Sequence, residues 1–274
     1  MKYIIILFTV VSLYAQDSKN SFLQSNYSFS NLNLNYFDWD IQSENSSNKS
    51  DFSYVGFEGG IGWNNVDIYG FLNIENPTHR YGKDTPDDLR FSTFMDVDIE
   101  VQNNFKIHLQ NFTLNSDSYF VDDLVFGVGY KINTNFGLWC RPFLGIHYTT
   151  DTYYSGINGY MGGWLLNYDF KMFDYKFSIF QWNEVEFARD KEFYLGNNNQ
   201  PIGDGDSWGI NGALSLWVHL SDSFTVGTQY RYAKNKLGYK NYQSGMIYTV
   251  KYNFLLTKMT SISYSKPNKL SRRI

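Results

Sequence analysis

The sequence contains one cysteine, Cys140, and only five prolines in 274 residues. Nowhere does it hold the run of about 18 consecutive apolar residues that a membrane-crossing helix needs. The lone cysteine excludes an internal disulfide framework and argues against a thiolate metal site, so Cys140 is expected to pack as a small apolar side chain. The missing apolar run excludes a helical membrane protein. Charge of one sign is scarce too: 23 Lys and Arg against 27 Asp and Glu leave a net charge of -4, spread along the chain. No basic patch recommends a nucleic-acid partner. The absence of a repeat of about 20–50 residues disfavours a propeller or solenoid.

Aromatic residues, in contrast, are abundant. With 23 Tyr, 23 Phe and 7 Trp they make up 19% of the chain, a content suited to strands and membrane interfaces. A mean hydropathy of -0.40 is no objection, because a barrel strand shows only every second residue to lipid. At the N-terminus one positive charge, Lys2, precedes the apolar stretch Ile4 to Tyr14 and the small residue Ala15, and polar Gln16-Asp17-Ser18 follows. This order predicts a signal peptide over 1–15, cleaved after Ala15, and then an N-terminal periplasmic segment over 16–27.

The mature chain alternates with a period of two, the signature of strands. Val66, Ile68, Gly70, Leu72 and Ile74 share one parity, and Asp67, Tyr69, Phe71, Asn73 and Glu75 share the other. The stretch Leu89 to Val101 repeats the pattern. Further strands are predicted near 28–39, 51–63, 105–113, 123–132, 138–149, 158–170, 174–187, 208–220, 223–233 and 246–254, twelve in all. Short connections, such as Asn64-Asn65 and Ser221-Asp222, alternate with long ones near 40–50, 76–88, 114–122, 150–157, 188–207 and 234–245. Short periplasmic turns, longer outer loops and an even strand number predict an all-β transmembrane antiparallel β-barrel in the bacterial outer membrane. The barrel is expected over 28–254, with both ends in the periplasm and a basic tail over 255–274. A soluble lipocalin-like barrel would carry its apolar parity inside, whereas here charges and glycines share one parity and apolar residues the other.

Assigning the charged parity to a water-filled lumen gives Glu58, Asp67, Glu75, Arg90, Asp96, Asp98, Glu100, Lys131, Arg141, His147, Asp169, Lys176, Glu184, Glu186, Arg231 and Lys251. Tyr54, Tyr69, Phe71, Phe94, Trp139, Phe143 and Trp217 fall on the same face. Rings beside hydrogen-bonding groups suit a small planar polar solute, the rings stacking and the polar groups binding edges and hydroxyls. The same charges could instead pair with one another and merely hydrate the pore. For a solute site the expected residues are Glu58, Asp67, Tyr69, Phe71, Asn73, Glu75, Arg90, Phe94, Asp96, Arg141, His147, Arg231 and Lys251. Gly59, Gly60 and Gly62 lack the Lys-Ser/Thr of a phosphate loop, and Asp204-Gly205-Asp206 lacks the later ligands of a calcium loop. His79, His108, His147 and His219 sit in no recognisable catalytic motif, so no catalytic residue, metal or cofactor is expected. A closed structural or adhesive barrel, or an outer-membrane hydrolase, are the competing readings.

Three stretches are similar to the nucleoside-specific channel-forming family of Tsx and OmpK. Gly56-Phe57-Glu58-Gly59-Gly60-Ile61-Gly62-Trp63 leads into Asp67-Ile68-Tyr69-Gly70-Phe71, and Tyr230-Arg231-Tyr232-Ala233-Lys234-Asn235-Lys236-Leu237-Gly238 precedes a last aromatic strand. Val66 and Asn73 depart from the family pattern, where Gly and Asp are expected. The resemblance implies a twelve-stranded monomeric porin that passes nucleosides and similar solutes. Tyr252-Asn253-Phe254 resembles the aromatic end read by the barrel-insertion machinery, a partner expected during assembly alongside outer-membrane lipid.

Overall fold

The computed structural model describes residues 25–47, 49–79, 88–117, 119–195 and 200–257. The expected signal peptide and most of the expected tail, from 258 onward, lie outside the described residues. The strands are β1 Tyr27–Trp39, β2 Phe52–Gly62, β3 Val66–Glu75, β4 Arg90–Gln102, β5 Phe105–Asn115 and β6 Phe120–Tyr130, then the two-residue β7 Ile132–Asn133. They continue as β8 Leu138–Asp151, β9 Ser155–Met172, β10 Tyr175–Phe187, β11 Trp208–His219, β12 Phe224–Lys234 and β13 Gln243–Thr257. Two short helices, α1 Ile41–Ser47 and α2 Lys191–Tyr194, belong to the loops.

Consecutive strands pair antiparallel, β1 pairs with β13, and β6 pairs with β8 from Val121↔Asp151 to Gly129↔Phe143. That last pairing closes the sheet, leaving twelve crossing strands and no open edge among the described residues, while β7 only extends the short turn before β8. Closure satisfies the backbone groups that lipid could not. The start of β1 and the end of β13 share one end of the barrel with the short turns. The strand predictions are met within a few residues: β3 matches at both ends, β6 begins at Phe120 where 123 was expected, and β13 runs on to Thr257, past the expected end at 254.

Side-chain placement is inverted relative to a soluble protein. Leu34, Phe126 and Val128 on the outer face are 58%, 58% and 60% exposed, whereas Asn31, Asp96, His108, Gln110 and Thr149 on the inner face are buried. Ring pairs Phe105–Tyr130, Phe224–Tyr252 and Tyr252–Phe254 gather at the short-turn end, and Tyr160–Phe187 lies near the opposite rim. These positions suit aromatic girdles at the two interfaces. Cys140 lies on the outer parity of β8 beside Ile132 and takes part in no disulfide.

Inside β1 the amides of Asn31, Asn33 and Asn35 form a ladder, with Asn33 donating to Asn31 at 3.0 Å and Asn35 donating to Asn33 at 2.6 Å. Gly56 on β2 makes room for it, since a Cβ there would stand 2.1 Å from Asn33 Oδ1. At the outer mouth Asp40 Oδ1 accepts from the Ser43 amide at 2.7 Å and starts α1. Ser43 and Ser244 exchange hydrogen bonds, which fixes that helix to the first turn of β13.

Candidate solute site in the lumen

Strand alternation decides which residues reach the lumen, and register decides which of them meet. In the β3–β4 pair, Tyr69 stands opposite Asp96, Phe71 opposite Phe94, Asn73 opposite Ser92 and Glu75 opposite Arg90. A stripe of rings results. Phe71 and Phe94 stack with centroids 5.4 Å apart and planes at 12°, Tyr69 lies 5.9 Å from Phe94, and Phe29 of β1 lies 6.3 Å from Tyr69. Polar groups border the stripe. Arg90 Nε donates to Glu75 at 3.0 Å, and Ser92 links Glu75 to Asn73.

Toward the short-turn end the stripe gives way to ion pairs. Lys106 of β5 bridges Asp67 and Asp98, Lys131 lies 3.5 Å from Asp67, Arg141 lies 3.4 Å from Asp98, and Tyr27 donates to Asp67 at 3.0 Å. Asp67 is thus occupied by its neighbours. Beside the stripe, Glu58 of β2 stands opposite Phe71 and accepts from Lys251 of β13 at 3.0 Å; Lys251 also sits 4.0 Å from the Trp217 ring centroid, and further round the wall Arg231 sits 4.4 Å from that of Trp182. Both contacts lie within the range of cation–π attraction.

The outer mouth is crossed by the loop between β12 and β13. Lys236 reaches down from that loop to Asp123 of β6, at 3.3 Å, and to Glu186 of β10. His147 is fully buried beside them, with Nε2 3.1 Å from Asp123 and 3.0 Å from Thr149. Burial opposes the charge on Lys236, yet Asp123 and Glu186 outweigh it and raise the ammonium pKa. The loops also hold one another: Lys49 donates to the Leu237 carbonyl at 2.9 Å, the Gly238 amide donates to Asp204 at 2.7 Å, and Arg189 pairs with Glu186 and Asp204. Asp204 therefore serves as a loop latch. Burial pushes its carboxyl up to about 6, against the pull of Lys236 and Arg189.

The expected residues thus divide among neighbourhoods. Tyr69, Phe71, Asn73, Glu75, Arg90, Phe94 and Asp96 meet on one wall, with Glu58 beside them opposite Phe71 and paired with Lys251 of β13; Arg141 lies toward the short-turn end; Arg231 lies further round the wall over Trp182; and His147 lies within the mouth network. Lys106, His108, Gln110, Asp123, Trp182 and Lys236 were missed. The alternation of Lys106, His108 and Gln110 with Ile107 and Leu109 carried a signal for the first three, and Trp182 shares the parity of Glu184 and Glu186. Lys236 had no local signal, because only the loop's path brings it inward.

The family model described as nucleoside-specific channel-forming protein, Tsx, matches residues 25–254. Among solved structures the chain is similar to the NanC porin, at 10% identity over 82% of this chain and 98% of that one, with a TM-score of 0.45. It is also similar to the KdgM porin in complex with disordered oligogalacturonate, at 10% identity over 83% and 99%, with a TM-score of 0.44. OprD from Pseudomonas aeruginosa matches at 10% identity over 84% and 94%, with a TM-score of 0.32.

Proposed function

The chain belongs to the nucleoside-specific channel-forming Tsx family, and from that premise we propose that nucleosides cross the lumen along the ring stripe of β3 and β4. It is a channel of the bacterial outer membrane for small solutes. The observation that supports the reading is the combination of stacked Phe71 and Phe94 with Glu75, Arg90 and Asn73 at the border of the stripe. A nucleobase offers a flat face for the rings, and its sugar offers hydroxyls for the carboxylates and amides. Transfer along a series of weak contacts favours passage, because no single contact holds the solute for long.

Replacing both Phe71 and Phe94 by alanine tests this reading in a planar bilayer. Stacking of a base on an aromatic side chain contributes about 1–3 kcal/mol, so adenosine is expected to block the variant current about ten-fold more weakly. Unchanged block by adenosine would move the solute path to another wall. A second reading, a barrel closed at its outer mouth, is favoured by Lys236 bridging Asp123 and Glu186. It predicts no steady current until that bridge is removed.

A further inference from the structure

Asp98 and His108 are direct cross-strand partners on β4 and β5, and Asp96 lies two residues along the same inner face of β4. His108 Nδ1 stands 2.9 Å from Asp98 Oδ1 and 3.7 Å from Asp96 Oδ1. In a tetrahedral site with bonds of about 2.0–2.1 Å, neighbouring ligand atoms lie about 3.3 Å apart, a value between the two observed separations. We propose that Asp96, Asp98 and His108 bind one divalent transition-metal cation of the zinc class on the lumen wall.

Asp96 supplies the second, independent observation. It is 1% exposed, and neither of its carboxylate oxygens accepts a hydrogen bond from any described residue. A carboxylate withdrawn from water without such bonds calls for a cation or an ordered polar partner in front of it. Asp98 is divided between two tasks: its Oδ2 meets Lys106 and Arg141, and its Oδ1 is turned to His108. The imidazole is fixed by stacking on Phe143, with centroids 4.3 Å apart.

A second cluster in the barrel provides the contrast. Asp123, His147 and Glu186 offer the same donor types within similar reach, but there the Lys236 ammonium lies against both carboxylates. In the Asp96 cluster the cations touch only the far oxygen of Asp98. Two carboxylates and one imidazole suit zinc or manganese, whereas calcium and magnesium require more oxygen ligands. Register places Asp96 opposite Tyr69, so a bound ion would stand beside the ring stripe and narrow the passage.

The test is calorimetric titration of zinc chloride into the chelator-washed barrel in detergent. One zinc ion per chain is expected, with affinity falling at least about ten-fold in Asp96→Asn and in His108→Gln and unchanged in His147→Gln. Magnesium is expected to give no saturable heat. Absent zinc binding, equal binding of magnesium, undiminished affinity in both lumen variants, or a loss confined to His147→Gln would each overturn the site. Should a variant fail to fold, cobalt(II) added to the unaltered barrel decides: an intense four-coordinate visible spectrum supports the site, and a weak six-coordinate spectrum contradicts it.

Discussion

Asp204 accepts from the Gly238 amide and Lys236, two residues before Gly238, pairs with Asp123 and Glu186, so both charges bear on how firmly the loop between β12 and β13 is held at the outer mouth. Asp204 titrates near 6 in the latched arrangement, above the ordinary carboxylate value near 4, because burial disfavours its charge. A carboxyl raised in this way stabilises the latch while protonated. Its contribution is full below about pH 4 and is lost as pH rises through about 6. Open-channel current in a planar bilayer is therefore expected to be smaller at about pH 5 than at about pH 7.5, and Asp204→Asn should flatten the difference. A current that rises on acidification would contradict this sign. Lys236→Gln removes the ammonium that Asp123 and Glu186 share, leaving two buried carboxylates facing each other across the mouth. Repulsion should loosen the loop and give a larger, noisier current, whereas an unchanged trace would deny the bridge any control of the pore.

At the scale of strands, one-residue irregularities carry as much weight as ladder contacts. The β8–β9 register shifts between Ile146 and Tyr148, and Gly159 of β9 takes φ +75° there. A Cβ at Gly159 would stand 2.3 Å from the Ala188 carbonyl, so this turn of the strand requires glycine. Gly159→Ala is expected to lower barrel stability by about 1–3 kcal/mol, read as a lower temperature of conversion between the folded and unfolded gel forms. No change in that temperature would mean that the bulge relaxes freely. The strands themselves were legible because lipid on one side and water on the other impose a strict two-residue period, as in β3. The ends of β6 and β13 were less so, since strands extending past the bilayer lose the lipid-facing constraint. The ring stripe was legible by parity at Tyr69, Phe71 and Phe94, which share one face of β3 and β4. Pairing of Asp67 with Lys106, or of Asp123 with Lys236, depends on register and loop path, which no single strand encodes.

The described residues form a sheet closed on itself, apolar outside, with charges of both signs inside. Paired ions of opposite sign along the lumen impose little net selection for charge, which suits an uncharged solute better than an anion or a cation. Selection then falls to shape and stacking. The loops between β1 and β2, β10 and β11, and β12 and β13 join above the lumen through Lys49, Asp204 and Lys236, so passage depends on both the wall and the mouth. The most direct test of nucleoside passage is the single-channel current of the reconstituted barrel with adenosine, thymidine and glucose added in turn. A steady open current is expected, which adenosine and thymidine reduce and glucose, at the same concentration, leaves nearly unchanged. A barrel that conducts nothing, or one that glucose blocks as strongly as the nucleosides, would contradict nucleoside passage.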